Sequence, residues 1–236
     1  VLIDTHCHLD AAEFANDRDL VIQTAVGLGV TQIVIPAVHA GNFVGVRDLA
    51  HGFAQGVYAL GIHPMYVANA CEQDLYTLEQ ALQAQHNDPK LIAVGEIGLD
   101  FFISEISTGQ ARAKQEYFYE AQLSLAQRFG LPVLLHVRRS QDILLKYLRK
   151  RSLIGGCAHA FNGSLQQASQ FVEMGFALGM GGAMTYARAL QIRNIATQLP
   201  LEALVLETDS PDIPPAWLHA DRRNTPGQVL GVAKTL

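Results

Sequence analysis

Apolar positions fall into two patterns that alternate along the whole chain. Short, near-continuous apolar runs rich in β-branched residues read as buried strands. Stretches with apolar residues three and four apart read as helices. The first strand-like run is Leu2-Ile-Asp-Thr-His-Cys-His8. A helix follows from Asp17 to Leu28, with Leu20, Val21, Ala25 and Leu28 at helical spacing and Gly29 as its stop. Strand two (Gln32 to Val38) leads to a helix from Asn42 to Ala54, and strand three (Val57 to Ile62) to one from Gln73 to Gln85. Strand four runs from Leu91 to Ile97 and ends in Gly98-Leu-Asp100; a longer connection then reaches a helix from Ala113 to Phe129. Strands five (Pro132 to His136), six (Gly155 to His159) and seven (Phe176 to Met180) precede helices over 141–151, 165–174 and 187–198. Strand eight (Leu204 to Asp209) opens onto a Pro-rich loop and a last helix from Thr225.

Eight such units predict one α/β domain over residues 1–236, a TIM-type (β/α)8 barrel. The rival is a doubly wound open sheet, which needs a glycine-rich turn after its first strand. Here that turn reads His-Cys-His-Leu-Asp. The chain stops inside the last predicted helix, so that helix is expected to be truncated.

Composition narrows the class. Hydrophobic residues make up 49% of the 236, enough for a large core, yet no apolar run reaches the length of a membrane span. No export pattern opens the chain. Three cysteines without a CxxC pair suit a reducing compartment, so a cytoplasmic location is expected. No obligate protein partner is evident, and a monomer is expected. The formal net charge of −5 provides no global positive field, so a polyanion would need a local basic patch or a bound cation.

Chemistry concentrates where barrels keep it, at the carboxyl ends of the strands. Period-2 alternation puts His6 and His8 on one face. His63, Glu96, His136, His159 and Asp209 end strands three, four, five, six and eight, and His39 follows strand two. One such group is usually a hydrogen-bonded core residue; a whole rim of them is hard to desolvate without a cation. His6, His8, Glu96, His136, His159 and Asp209 exceed the needs of one tetrahedral zinc and suit two divalent cations. Neighbouring strands partition them: His6, His8 and Asp209 for one ion, His136 and His159 for the other, Glu96 as bridge. Mg, Mn, Zn or Ni would accept these ligands. Strand seven offers only Gly179, Gly181 and Gly182, which permit close backbone approach. Asp4 and Glu207 lie one step deeper, as orienters of the ligands or as hydrogen-bonded groups beneath them. Cys7 and Cys157 read as core, and His51, His86 and His219 as surface. Arg138 suits an anionic substrate such as a phosphate.

Together these stretches resemble the TatD family of metal-dependent deoxyribonucleases, among the amidohydrolase-type barrels, over essentially the whole chain. The likeness is carried by Asp4-Thr-His-Cys-His-Leu-Asp10, Gly61-Ile-His-Pro64, Gly95-Glu-Ile-Gly-Leu-Asp100, Leu131-Pro-Val-Leu-Leu-His-Val-Arg138, His159-Ala-Phe-Asn-Gly163, Glu207-Thr-Asp-Ser-Pro211 and Asn224-Thr-Pro226. It is greatest to a bacterial branch described only as metal-dependent hydrolases. The resemblance implies two divalent metal sites and hydrolysis of phosphodiester bonds, often as a 3′-to-5′ exonuclease. It implies metal roles for the same six residues. Ala160 and Asn162 stand where Cys and Ser are commoner, and the segment from Phe101 to Lys114 is idiosyncratic.

The chemistry such a site supports is hydrolysis by a water activated on the cations. Asp209 would act as base, and His63 and Arg138 would stabilise the charge developing on phosphate. DNA ends or a small phosphate ester are the expected substrates. Two alternatives use the same barrel: hydrolysis of another ester, lactone or amide, and metal-dependent binding without catalysis. Many barrels with the former activity bridge their metals through a carboxylated lysine; here Glu96 occupies strand four and Lys90 precedes it.

Overall fold

The computed structural model describes residues 1–218 and 223–236. Eight strands form one parallel sheet in sequence order. They are β1 (Leu2–Asp4), β2 (Val30–Pro36), β3 (Gly56–Leu60), β4 (Leu91–Asp100), β5 (Val133–Arg138), β6 (Gly156–His159), β7 (Phe176–Met180) and β8 (Leu204–Leu206). The helices between them are α1 (Arg18–Gly27), α2 (Phe43–His51), α3 (Glu72–Ala84), α4 (Gly109–Phe129), α5 (Gln141–Leu148), α6 (Leu165–Glu173) and α7 (Leu190–Gln198), with α8 (Val229–Thr235) last. This is the (β/α)8 barrel that the alternation predicts. No helix among the described residues is long and apolar enough to cross a membrane.

Burial follows from the architecture. Every residue of β3 is buried, because helices cover one face of the sheet and the barrel interior the other. Side chains pointing out, such as Ile33, Tyr58, Leu60, Val94 and Leu135, join the large core beneath the helices. A smaller group, Val34, Val57, Ala59, Ala93 and Leu134, packs separately with half-buried Cys157 against it. Leu134 lies two residues before His136, and Ala59 four before His63. By alternation this group is the apolar floor on which the polar rim stands.

The differences from the sequence expectation cluster at the seam. The regular strands β1 and β8 are only three residues long, far shorter than the apolar runs imply. Their extended continuations close the barrel instead. Thr5 N–H donates to Leu206 O (3.0 Å), Asp209 N–H to His6 O (2.8 Å) and His8 N–H to Ser210 O (2.8 Å). Beneath them the Asp4 carboxylate accepts both the Thr208 N–H (2.9 Å) and its hydroxyl (2.6 Å). Asp4 touches no imidazole ring; its role is to tie the first strand to the last. Helix α4 begins at Gly109, earlier than expected, and α7 at Leu190, later, because a short 3-10 turn over Gly182–Thr185 takes up the chain after β7.

Removing Asp4 takes both acceptors from Thr208, whereas an Asn amide oxygen still accepts the Thr208 N–H and its NH2 can donate to the Thr208 hydroxyl, whose proton turns to Ser210 Oγ at 2.8 Å. Asp4→Ala is expected to cost about 1–3 kcal/mol more than Asp4→Asn in urea denaturation. Equal losses would remove Asp4 from the closure.

Candidate metal centre

Four local devices aim the rim residues. Beyond β1 the chain stays extended, with Cys7 buried against Ser210, so His6 and His8 both face inward. The β4–β5 register slips between Val94 and Ile97, and Glu96 N–H donates to Ala37 O (3.0 Å) beyond the end of β2. This irregularity turns Glu96 into the barrel mouth, a use bulges commonly serve next to active sites. Gly98, at φ +148°, sits against the His136 carbonyl so closely that a Cβ would overlap it. Three residues beyond β8, Asp209 takes a left-handed backbone (φ +55°), which Asp tolerates better than most residues.

The result is a buried carboxylate ringed by imidazoles. Glu96 Oε2 lies 3.1 Å from His6 Nε2 and 3.4 Å from His8 Nε2. Glu96 Oε1 lies 2.8 Å from His136 Nδ1, 3.2 Å from His159 Nε2 and 3.3 Å from His63 Nε2. Asp209 Oδ1 stands 3.6 Å from both His6 and His8. The His6 and His159 rings stack at 3.9 Å between centroids.

This donor set fits metal. His6 and His8 turn their Nε2 atoms to within 3.2 Å of each other, and His63 Nε2 and His136 Nδ1 approach to 3.0 Å. Protons alone satisfy such a crowd poorly, since imidazolium ions side by side repel. Divalent cations take up imidazole and carboxylate lone pairs without adding protons to the crowd. Three candidate groups have their ligand atoms within 4.8 Å of one another: His6, His8 and Asp209; His6, Glu96 and His159; His63, Glu96 and His136.

The electrostatics match. Burial would raise the Glu96 carboxyl, but the imidazoles of His63, His6 and His159 outweigh it and hold it well below the usual range. Burial lifts Asp209 to about 6, against the pull of His159 and His8. His63 falls to about 4, chiefly by burial. His8 rises to about 9, because Glu96, Asp209 and Asp10 overcome its desolvation.

The supports lie one layer out. Glu207 Oε1 accepts the Ala160 N–H and lies 3.6 Å from His159 Nδ1, so of the two deeper carboxylates this one stands by a rim imidazole, while Asp4 meets only the His6 backbone N–H. Gly179 of β7 makes room for it: a Cβ there would overlap the Glu207 carboxylate. Asp100 has no role in the sequence reading, yet its Oδ2 receives His136 Nε2 at 3.2 Å and its Oδ1 the N–H groups of Phe102 and Ile103. Two buried glutamines of α4 grip strand ends. Gln122 bonds the Ile62 N–H and C=O just before His63, and Gln115 bonds those of Asp100. A Gln on a helix looks like surface in a sequence; only its buried position at i and i+7 hints otherwise. Arg138 is half-exposed at the mouth, 3.6 Å from Asp100 Oδ2. His39 packs against Tyr66, which stands edge-on to His63. His51 and His86 are exposed, as expected, and His219 lies outside the described residues.

A (β/α)8 barrel whose carboxyl rim is given over to histidines and carboxylates is the architecture of the metal-dependent hydrolases. The family model described as TatD related DNase matches residues 3–236, and the chain belongs to that family. It is 42% identical to the uncharacterized metal-dependent hydrolase YjjV of Escherichia coli, over 90% of this chain and 80% of that one. The crystal structure of YjjV superposes with a TM-score of 0.92 at 39% identity, covering 99% of this chain and 88% of that one. Relatives with named activities are more distant. The 3′-5′ ssDNA/RNA exonuclease TatD of a Pantoea species is 31% identical over 95% of this chain and 86% of that one. Human deoxyribonuclease TATDN3 is 32% identical over 91% and 79%.

Gly179→Ala is expected to displace Glu207 from His159 and lower metal affinity or turnover about 10–100-fold, the usual loss when a ligand's outer partner goes. Gly45→Ala, on open surface of α2, serves as control. Metal titration that does not separate the two variants would free Glu207 of this role.

Proposed function

We propose that the chain hydrolyses phosphodiester bonds at the ends of single-stranded nucleic acid, using two divalent cations. The observation that carries the reading is the Glu96 carboxylate, whose two oxygens face different sets of imidazoles, as a bridge between two ions would. His6, His8 and Asp209 would hold one cation; His136 and His159 would hold the other, with Glu96 shared. His63 reaches the same Glu96 oxygen as His136, so it would stand beside the second cation. Cations bound there would lower the pKa of a water and polarise a phosphoryl oxygen.

The chain's own groups do the rest. Asp209, at the edge of the first cation's ligand group, is placed to accept the proton released by the attacking water. His63, neutral because burial lowers it to about 4, accepts the Met65 N–H at Nδ1 and so presents an Nε2–H at the rim, where it can donate to a phosphate oxygen. Arg138, one Asp100 oxygen further out, supplies a fixed positive charge that draws a polyanion to the mouth. The choice of nucleic acid over a lactone or amide rests on this cationic side of the mouth and on the activities named for the two more distant relatives. Bridging by Glu96 sets the site apart from barrels that use a carboxylated lysine.

The test is metal-depleted protein reconstituted separately with Mg, Mn, Zn and Ni, then offered end-labelled single-stranded DNA, RNA, duplex DNA, bis(p-nitrophenyl) phosphate and a lactone. Stepwise shortening of single strands is expected. Glu96→Gln should lose at least about 100-fold in kcat together with bound metal measured by elemental analysis. Full activity in that variant, or turnover of the lactone alone, overturns the reading.

A further inference from the structure

We propose that Phe102, Arg138 and Arg139 form a subsite at the barrel mouth for the phosphate next to the scissile one in a single-stranded oligonucleotide. The proposal rests on the phosphodiesterase reading above.

Successive residues of a strand point to opposite faces, so Arg138 and Arg139 should diverge. They do not. Arg139, just past the end of β5, takes a left-handed backbone at φ +56°, and this turn breaks the alternation. Both guanidiniums come to the same aromatic ring. The Arg138 Cζ lies 3.9 Å, and the Arg139 Cζ 4.7 Å, from the centroid of Phe102. Stacking against an aromatic face fixes a planar guanidinium while leaving its N–H edge free for a planar or tetrahedral anion.

The patch is built and open. Phe102 is 49% exposed, although a large apolar ring gains nothing from standing in water. Asp100 holds it there, accepting the Phe102 and Ile103 N–H groups at 2.8 and 3.1 Å. The other Asp100 oxygen lies 3.2 Å from His136 Nε2 and faces Arg138 Nη1 at 3.6 Å. One carboxylate thus couples the patch to the proposed second cation's ligand, which places the patch beside the reacting phosphate rather than on it.

Charge sets the ligand. Arg138 shares Asp100 with His136, and among the described residues no carboxylate lies within ion-pair reach of Arg139. The contrast is Arg112, which stacks on neighbouring Phe101 at 4.2 Å but is already bonded to Glu116 at 2.8 Å. In a chain of net charge −5, this unneutralised guanidinium at the mouth is the local basic patch that a polyanion needs. A phosphate ester with a single charge reaches the cations without it; a strand carrying a second phosphate engages both.

The experiment compares wild type with Arg139→Gln and Phe102→Ala in the metal-loaded enzyme. Two substrates are used, a single-stranded hexanucleotide and bis(p-nitrophenyl) phosphate. In parallel, fluorescence anisotropy follows binding of a hexanucleotide whose 3′-terminal linkage is a phosphorothioate. Each variant is expected to raise KM for the hexanucleotide about tenfold, at least five times more than for the small ester. Arg139→Gln should also flatten the slope of log Kd against log salt by about 0.7, the value for one phosphate contact on a single strand. Equal losses on the two substrates, or an unchanged salt slope, overturn the subsite. Failure of wild type to turn over either substrate defeats the phosphodiesterase reading instead, and the anisotropy measurement then decides the subsite by itself.

Discussion

A carboxylate taken out of water and left unpaired costs several kcal/mol. Glu96 is in that position, almost wholly buried in the mouth of the barrel. Its charge is kept because five imidazoles converge on its two oxygens. Those imidazoles come from four strand ends other than its own. The arrangement therefore exists only when the barrel is closed and each strand is in register. Closure, register and the chemistry of the site are in this sense one requirement.

The supporting structure reads as a response to that requirement. Asp4 and Thr208 lock the seam directly below His6 and Asp209, where the regular ladder is too short to do so. Gln122 and Gln115 hold the backbone that carries His63 and Asp100. Gly179 of β7 and Gly181 just past it contribute no ligand, yet they create the volume in which Glu207 lies under His159. Rings fixed in this way enter a metal site at little entropic cost, which is the usual advantage of outer supports. Around the rim, polarity changes with position: half-exposed Tyr66 stands on the β3 side and the arginine-flanked Phe102 on the β4–β5 side. A mouth of this kind distinguishes substrates by what lies beyond the reacting bond.

Much of this is legible in the order of residues, for a specific reason. A parallel barrel places every strand's carboxyl end on one rim, so His6, His8, His63, Glu96, His136, His159 and Asp209 can be gathered by noting what terminates each apolar run. Alternation correctly sends Cys7 away from its histidine neighbours and puts Leu134 beneath His136. The same rule fails where the backbone leaves the regular strand. It leaves Asp4 open between an orienter of histidines and a hydrogen-bonded group beneath them, and the bonds to Thr208 select the latter. It separates Arg138 from Arg139, whereas a left-handed residue brings them to one ring.

Sequence by itself therefore determined the eight-unit barrel, the rim on which chemistry sits and the residue types that line it, because periodicity and strand ends are local properties. Tertiary structure alone decided which histidine faces which Glu96 oxygen and that Asp100 serves both His136 and Arg138. It also decided that glutamines of α4 are buried clamps and that strands β1 and β8 meet through their continuations. These depend on distances between segments far apart in the chain and on a few irregular backbone angles. No period in the sequence encodes either.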